Sequence, residues 1–391
     1  MDKSTKIVCT LGPASDDKDT IAKLYDAGMN VARLNFSHGS YEYFENLIRN
    51  IRETNENISI LLDTKGPEIR TGEVHGESVI LKDGQKLILT KEKVDGNEEM
   101  IYIDYKNLED VEPKSKILID DGLIECEVLE KVSSGLKVKV VNGGELGPRK
   151  TVTIRGHNVE IPFLTPKDIQ DIEFGIKHGV SFIAASFVRE AKEVKQLRKL
   201  LDKHKTEINI ISKIEHQKSV DNFDEILKAS DGIMVARGDL GVEVPLSKIP
   251  LLQKEMIQKC RNAGKPVIVA TQMLESMKSN PRPTRAEVND VANAILQGTD
   301  AVMLSGETAS GKYPVKAVEF MSKIASEYEK NIEKNIEETS HLIVGNGRSS
   351  FIAEATYEAT KHIDVKAIIV PTESGFSAKN ISRFRPSSRD R

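Results

Sequence analysis

Three residues in this sequence have the types and spacing needed to handle a metal-bound anion. Lys213 and Glu215 lie two residues apart in a predicted strand and therefore share one face of it. Asp239 follows the next predicted strand, which puts two carboxylates at neighbouring strand ends. Mg²⁺ takes one or two protein carboxylates and completes its shell with water and substrate oxygens. This pattern predicts Glu215 and Asp239 as Mg²⁺ ligands, with Lys213 facing an anion; a simple Lys–Glu ion pair is the alternative.

Further residues at predicted strand ends indicate that the substrate is an anion. The Arg-Gly-Asp-Leu-Gly motif at residues 237–241 lets backbone N–H groups approach a ligand. A helix beginning there would attract a carboxylate or phosphate to its N-terminus. Arg33 and Arg70 are suited to grip phosphate oxygens. The alternatives are an ordinary turn for the glycine motif and structural ion pairs for the two arginines.

A third group of residues offers only hard oxygen atoms and one formal charge. Asn35, Ser37, Asp63 and Thr64 would suit a weakly held monovalent cation, and hydrogen bonding within loops is the equal alternative. His38, beside them, fits a loop residue better than a catalytic base. Together with the carboxylates and cationic side chains, these residues predict a phosphate-bearing carboxylic acid that is handled with a metal.

Eight short apolar runs position these polar groups, and each run is followed by a helical pattern. The runs do not alternate with polar residues, as expected of parallel strands buried on both faces. They occupy residues 6–10, 31–36, 58–63, 182–187, 208–214, 232–236, 266–271 and 301–305. Eight such units predict an α/β fold, a (β/α)₈ TIM barrel that gathers all the strand ends at one rim. An open doubly wound sheet is the structural alternative.

Local signals mark several helix ends between these runs. Thr165 before Pro166 is typical of an N-cap followed by proline at the first helical position. A capping-box pattern over residues 284–287 predicts a helix that continues to about residue 297. Gly28, Gly264 and Gly298 are typical of helix C-terminal stops.

The apolar period changes to two between residues 70 and 162. Strand patterns at residues 79–81, 86–89, 116–119, 124–128 and 136–140 are separated by turns at 82–85 and 120–122. This predicts an all-β domain inserted after the third barrel strand, placed as a lid that excludes water from the rim. The predicted domains are the barrel (1–69 and 163–330), the lid (70–162) and a partial C-terminal α/β domain (331–391).

The last predicted domain has few elements. A charged helical stretch covers 331–339, followed by a helix at 349–362, a strand at 365–371 and the start of a helix at 375–385. One strand cannot form a sheet, so this domain is expected to be incomplete.

Composition excludes several functional classes. Of the 391 residues, 56 are basic and 60 acidic, so the net charge of −4 provides no field for nucleic acid or an anionic membrane. No apolar run approaches the roughly 20 residues of a membrane span, and no signal peptide is expected. Three isolated cysteines fit a reducing compartment, which predicts a cytoplasmic location.

At these residues the sequence resembles the pyruvate kinase family. Long contiguous motifs carry the resemblance, at residues 30–39, 63–72, 211–215, 231–241, 270–277, 282–288 and 303–308. The resemblance implies a (β/α)₈ barrel, a β-barrel lid and a C-terminal α/β domain. It also implies transfer of the phosphoryl group of phosphoenolpyruvate to ADP, giving pyruvate and ATP, by a homotetramer that uses Mg²⁺ (or Mn²⁺) and K⁺.

By position, the resemblance implies a role for each site residue. Glu215 and Asp239 would bind Mg²⁺, and Lys213 would neutralise the phosphoryl group in flight and stabilise the enolate. Gly238, Asp239 and Thr271 would cradle the substrate carboxylate, with Thr271 near the route of enolate protonation and Arg33 on the substrate phosphate. The remaining roles are K⁺ binding by Asn35, Ser37, Asp63 and Thr64, and nucleotide binding by Asn35, His38, Arg70 and Lys150.

The sequence departs from the family pattern in two places. Residues 149–153 differ from the usual Lys-Lys-Gly-Val-Asn around Lys150, and the chain stops soon after the match at 383–386. A loop with Thr372, Ser374 and Ser377 resembles part of an effector phosphate site. The sequence therefore resembles a C-terminally truncated form. Two alternatives are a non-enzymatic truncated subunit and a Mg²⁺-dependent lyase acting on pyruvate-like acids; Arg70 and the insert argue against the lyase.

Overall fold

Eight parallel strands form a closed barrel in the computed structural model, which describes residues 3–157, 161–329, 347–384 and 386. The strands are Lys6–Thr10, Val31–Asn35, Ser59–Asp63, Phe182–Ala185, Asn209–Ile214, Gly232–Ala236, Val267–Ala270 and Ala301–Leu304. Neighbours pair in chain order, and the eighth strand pairs with the first, Ala301 beside Lys6. The predicted barrel is confirmed, and the open-sheet alternative is wrong because this last pairing leaves no edge.

The strands are mostly apolar because both of their faces are buried, and most of their polar residues lie near the strand ends. Val8, Leu61 and Met234 belong to a cluster inside the barrel, whereas their neighbours Ile7 and Leu62 belong to the larger core packed under the helices. The three cysteines, Cys9, Cys126 and Cys260, are also buried, and none forms a disulfide.

Helices surround the barrel, with ends set by the predicted local signals. Thr165 and Thr284 cap their helices with complete capping boxes. Gly28 ends the first helix with a φ of 118°, and a Cβ there would lie 2.4 Å from Ser322 Oγ, so only glycine fits. The α-helices are Lys18–Ala27, Tyr41–Thr54, Pro166–Lys177, Ala191–Lys203, Gln217–Asp221, Phe223–Ala229, Arg237–Glu243, Ile249–Asn262, Arg285–Leu296, Gly306–Ala309 and Pro314–Tyr328, and 3₁₀ turns lie at Leu246–Lys248 and Glu275–Lys278.

The predicted β insert follows the third barrel strand and has its own apolar core. Its seven-stranded sheet runs, in spatial order, Ile69–Arg70, Thr151–Ile154, Lys116–Ile119, Ile124–Val132, Gly135–Asn142, Lys86–Thr90 and Met100–Tyr102. A two-stranded ribbon pairs Val79–Leu81 with Gly144–Leu146, and Leu108–Asp110 is a 3₁₀ turn. The first and last sheet strands in the chain, Ile69–Arg70 and Thr151–Ile154, pair with each other, so the insert leaves and rejoins the barrel at one place.

The described part of the C-terminal segment contains two helices, Arg348–His362 and Phe376–Ser382. Tyr357 and Phe384 stack between them with ring centroids 5.4 Å apart. The strand predicted at 365–371 is wrong: this stretch forms no strand, and Ile369 is 89% exposed. A strand needs the backbone of a neighbour, and none lies beside it within residues 347–384. The helix predicted at 331–339 lies outside the described residues.

Within the described ranges, no helix is both long and apolar enough to cross a bilayer.

Candidate active site

Polar side chains from several strands meet at the carboxyl-terminal rim of the barrel. Parallel strands end on the same side, so residues distant in sequence become neighbours. Asn35 and Asp63, for example, are paired across the second and third strands. Lys213 lies on the fifth strand, and its Nζ reaches across the barrel to Asp63 Oδ1 at 3.1 Å.

Lys213 occupies the centre of this cluster. Its Nζ also lies 2.9 Å from Glu215 Oε1 and donates a 2.8 Å hydrogen bond to Ser186 Oγ. Burial disfavours its charge, but Asp63 and Glu215 more than offset that cost and raise the pKa of Lys213 above its ordinary value. A fixed positive charge therefore points into the rim.

One oxygen of Glu215 accepts a hydrogen bond, and the other is held only by the ion pair with Lys213. Its Oε2 accepts a 2.7 Å hydrogen bond from the Phe187 N–H. Its Oε1 touches Lys213 but accepts no hydrogen bond, although it is buried. Burial raises the pKa of Glu215 to about 8, while Lys213 opposes the rise and Asp239 adds to it. The predicted Lys–Glu ion pair exists, yet it leaves this oxygen without a hydrogen-bond donor.

Asp239 supplies the second carboxylate, from the helix Arg237–Glu243. It lines the same cleft as Glu215, and no hydrogen bond or ion pair of its side chain occurs within the described ranges. A group of three or more His, Cys, Asp or Glu side chains placed to hold a metal is absent from the residues described. Two carboxylates with open oxygens fit Mg²⁺, which takes its other ligands from water and substrate.

Arg33 forms the structural ion pair that the sequence left open as an alternative. Its Nε donates to Asp63 Oδ2 at 2.6 Å, and its Nη1 donates to Thr10 Oγ1 at 2.8 Å. Burial opposes the ionisation of Asp63, but Arg33 and Lys213 overcome it and hold the pKa of Asp63 below its ordinary value. Asp63 thus fixes both cations at the rim.

The four oxygen donors considered for a monovalent cation lie together at the ends of the second and third strands. The Asn35 side-chain oxygen accepts a 3.2 Å bond from the Ser37 N–H. The Thr64 carbonyl accepts a 2.7 Å bond from Ser186 Oγ. His38 lies next to this group but is exposed.

The seventh strand ends in a strained turn. Thr271 has a φ of 70°, unusual for a β-branched residue and typical of functional positions. Its Oγ1 accepts a 2.7 Å bond from the Gly238 N–H and donates to the Ala270 carbonyl at 2.6 Å. Arg237 donates to the Thr271 carbonyl at 2.7 Å and pairs with Asp290, which holds the turn in place.

The two remaining cationic candidates, Arg70 and Lys150, lie on the two chain segments by which the lid joins the barrel. Arg70 is held by Glu68 at 2.6 Å and donates to the Arg149 carbonyl at 2.9 Å. Lys150 lies on the adjoining chain segment and pairs with Asp120 at 3.0 Å. The structure therefore brings Arg70 and Lys150 together, each with a carboxylate partner.

The effector-loop residues lie elsewhere. Thr372, Ser374 and Ser377 are exposed beside the helix Phe376–Ser382. That helix borders a cavity of about 480 Å³ with the first residues of the fourth and fifth barrel strands, at the opposite end of the barrel from Lys213.

Two site residues have no counterpart among the sequence-based candidates. Ser186 links Lys213, Asp63 and the Thr64 carbonyl, and Glu307 is fully buried and accepts bonds from the Leu274 and Ser305 N–H groups. Ser186 interrupts the apolar run at residues 182–187, and that interruption is its only signal in the sequence. Glu307 follows the eighth strand, but its role depends on a contact made through folding.

Glu243 is an unusual carboxylate in the cleft between barrel and lid. Its Oε2 is buried without a hydrogen-bond partner, and its Oε1 lies 3.6 Å from His216 Nε2. The lid residue Arg155 donates to the neighbouring Val242 carbonyl at 2.7 Å. Burial raises the pKa of Glu243 to about 7, although Arg155 opposes the rise. Burial lowers the pKa of His216 to about 4, so the imidazole is neutral at pH 7.

Glu243→Gln is expected to stabilise the protein at pH 8 and to stabilise it by less than about 1 kcal/mol at pH 5. The unfolded carboxyl ionises near 4.5 and the folded one near 7, so the free energy of unfolding falls as pH rises between these values. The full cost is about 3 kcal/mol, and glutamine avoids it. Thermal melts of parent and variant at both pH values measure the difference; equal shifts at pH 5 and pH 8 would contradict it.

Comparisons with known proteins agree with this geometry. The family described as "Pyruvate kinase, barrel domain" matches residues 2–318, and "Pyruvate kinase, alpha/beta domain" matches residues 350–389. Pyruvate kinases from Bacillus licheniformis and Geobacillus stearothermophilus are 51% and 49% identical over 98% and 99% of the chain, which spans 67% of each relative. A crystal structure of a Cryptosporidium parvum pyruvate kinase has a TM-score of 0.94 at 43% identity and covers 99% of this chain and 82% of its own.

Fold and site define an enzyme with a lidded (β/α)₈ barrel whose carboxyl-terminal rim holds a buried lysine beside buried carboxylates. The chain belongs to the pyruvate kinase family. It is a phosphotransferase that moves the phosphoryl group of phosphoenolpyruvate to ADP, giving pyruvate and ATP. Neither the lyase nor the non-enzymatic alternative has support in these comparisons. The family uses Mg²⁺ and K⁺.

Proposed function

We propose that the rim cluster around Lys213 carries out this transfer, with Glu215 and Asp239 as the Mg²⁺ ligands. The observation behind this assignment is that Glu215 Oε1 is buried with Lys213 as its only polar contact among the described residues, while a second carboxylate, Asp239, lines the same cleft. Mg²⁺ held there would supply positive charge to the substrate oxygens. Positioning and charge neutralisation are what phosphoryl transfer requires of a protein.

Each cationic residue has its own task in this proposal. Lys213 offsets the charge on the phosphoryl group in flight and then on the enolate left behind. Arg33 grips the substrate phosphate while Asp63 fixes its guanidinium. Both cations are oriented before substrate arrives, so little reorganisation is needed during the reaction.

The turn after the seventh strand binds the other end of the substrate. Gly238 and Asp239 offer backbone N–H groups and Thr271 its hydroxyl to the substrate carboxylate. In the structure Gly238 and Thr271 bond to each other, so substrate replaces that bond. The Thr271 hydroxyl also lies near the route by which the enolate is protonated.

ADP enters from the lid side. Arg70 and Lys150 bind its phosphates, and Asn35 and His38 contact it from the second strand. Glu68 and Asp120 hold the two cationic side chains in the structure, so nucleotide phosphates compete with these carboxylates. Thr372, Ser374 and Ser377 are assigned to an effector phosphate site.

A coupled assay tests the reaction. Purified protein receives phosphoenolpyruvate, ADP, Mg²⁺ and K⁺, and pyruvate and ATP are measured separately. Equal amounts of the two products support the proposal. Pyruvate without ATP would contradict it and point to lyase-like chemistry.

Activity is expected to need K⁺ as well as Mg²⁺. Asn35, Ser37, Asp63 and the Thr64 carbonyl supply the oxygens, and Ser37→Ala should raise the K⁺ concentration for half-maximal activity severalfold because it removes one of them. Rates are compared in potassium, sodium and tetramethylammonium chloride at one ionic strength. Equal rates in all three salts would contradict the assignment.

The larger-scale assignments belong to the same proposal. The domains are the barrel (1–69 and 163–330), the lid (70–162) and a partial α/β domain (331–391), and the separate lid core supports the middle boundary. A cytoplasmic homotetramer is proposed; three buried, unpaired cysteines support a reducing compartment. Size-exclusion chromatography with light scattering tests the oligomeric state.

A further inference from the structure

A buried carboxylate ties together the two chain segments that connect the lid to the barrel. Asp168 lies in the first turn of Pro166–Lys177, directly after the lid, and is 1% exposed. Its Oδ2 accepts bonds from the Thr165 N–H at 2.9 Å and from Thr165 Oγ1 at 2.6 Å, which is half of an ordinary capping box. Its Oδ1 accepts a 3.0 Å bond from the Gly66 N–H. Capping does not require this second contact.

Gly66 transmits that contact towards the catalytic cluster. It lies on the segment by which the chain leaves the barrel for the lid, with a φ of 71°. A Cβ at this position would lie 2.8 Å from Ser186 Cβ, so the backbone packs directly on Ser186. Ser186 in turn accepts a bond from Lys213 Nζ and donates one to the Thr64 carbonyl. Asp168 therefore holds the Gly66 backbone, which packs on Ser186, and Ser186 links Lys213 to Thr64.

We propose that Asp168 is a positioning residue for the reaction. It holds residues 64–68 against Ser186. This contact fixes the position of the Thr64 carbonyl oxygen and of the hinge about which the lid moves. A hydrogen bond to a buried carboxylate is stronger than one between neutral groups, which suits a fixed pivot. The inference rests on the proposed roles of Thr64 in K⁺ binding and Arg70 in ADP binding.

Three variants separate this role from helix capping. Asp168→Ala removes both the cap and the Gly66 contact. Thr165→Ala removes the side-chain cap but leaves the Gly66 contact. Asp171→Asn is the matched control, because Asp171 is buried on the same helix and bonds Tyr41 and Lys167 instead. Asp168→Ser, whose hydroxyl is too short to reach Gly66, replaces the alanine variant if that one does not fold.

Hydrogen exchange of the peptide spanning residues 64–70 is the first readout, because it needs no activity. Loss of the Gly66 contact is expected to speed its exchange about tenfold in Asp168→Ala, and not in Thr165→Ala or Asp171→Asn. In the assay, Asp168→Ala should raise the KM for ADP and the K⁺ requirement severalfold, while Thr165→Ala lowers only the melting temperature.

The outcomes distinguish this inference from the proposed function. Equal exchange and equal kinetic constants in Asp168→Ala and Thr165→Ala would overturn the positioning role and leave only capping. Faster exchange with unchanged KM and K⁺ requirement would also overturn it, since the segment would then move without consequence. A parent enzyme indifferent to K⁺ would refute the proposed K⁺ site, whereas the exchange result would still test the contact.

Discussion

Lys213→Met is expected to lower kcat by more than about 10³-fold. One preorganised group at a developing charge typically contributes 10²–10³, and this lysine carries a full charge fixed by Asp63 and Glu215. Methionine has a similar length and no charge, so the change removes the electrostatic contribution with little change in volume. Steady-state kinetics with saturating phosphoenolpyruvate, ADP, Mg²⁺ and K⁺ measure the loss.

Lys218→Met is the control, because it makes the same lysine-to-methionine change at a nearby position. Lys218 lies on the following helix and pairs with Glu190, outside the proposed machinery, so this variant should keep near-parental kcat. A cooperative thermal melt shows whether Lys213→Met is folded. Its melting temperature should fall below that of the parent, because the buried carboxylates lose their cationic partner. A folded Lys213→Met within tenfold of the parent would disprove the assignment.

Glu215→Gln is expected to weaken Mg²⁺ binding strongly and to reduce activity at millimolar Mg²⁺ by orders of magnitude. Glutamine can still accept the Phe187 N–H but brings no charge to the site. In the parent, burial raises the pKa of Glu215, so protons compete with the metal at a higher pH than they would at an exposed glutamate. Mg²⁺ affinity should therefore rise with pH.

The variant should lose this pH dependence along with its affinity. Calorimetric Mg²⁺ titrations of both proteins at pH 6.5, 7.5 and 8.5 provide the test. Glu243→Gln is the matched control, since Glu243 is a buried carboxylate in the same cleft that the proposal does not use. Undiminished Mg²⁺ affinity in Glu215→Gln, or the same loss in both variants, would contradict the ligand assignment.

The sequence was sufficient for the barrel because its signals are local. A strand buried on both faces is mostly apolar without alternation, so residues 208–214 and 232–236 could be located without knowledge of their neighbours. Lys213, Glu215 and Asp239 could be placed at one rim of the barrel because parallel strands all end on the same side. The caps at Thr165 and Thr284 required only adjacent residues.

The remaining features depend on contacts between distant segments. Asp168 is an ordinary capping residue in sequence, and its bond to Gly66 exists only because the chain returns beside the same place after the lid. Ser186 acquires its partners only when three strands meet. The error at 365–371 has the converse cause, since an apolar pattern alone cannot supply the neighbouring strand that pairing requires.

The buried cysteines make the protein a convenient host for a reporter group. Burial raises the pKa of Cys126 to about 12 and keeps Cys9 and Cys260 protonated as well, so none presents the thiolate that alkylating reagents attack. A cysteine introduced at the exposed lid residue Leu123, which is 67% exposed, would then be the only reactive thiol among the described residues. A fluorophore attached there would follow lid movement during turnover in an otherwise unmodified chain.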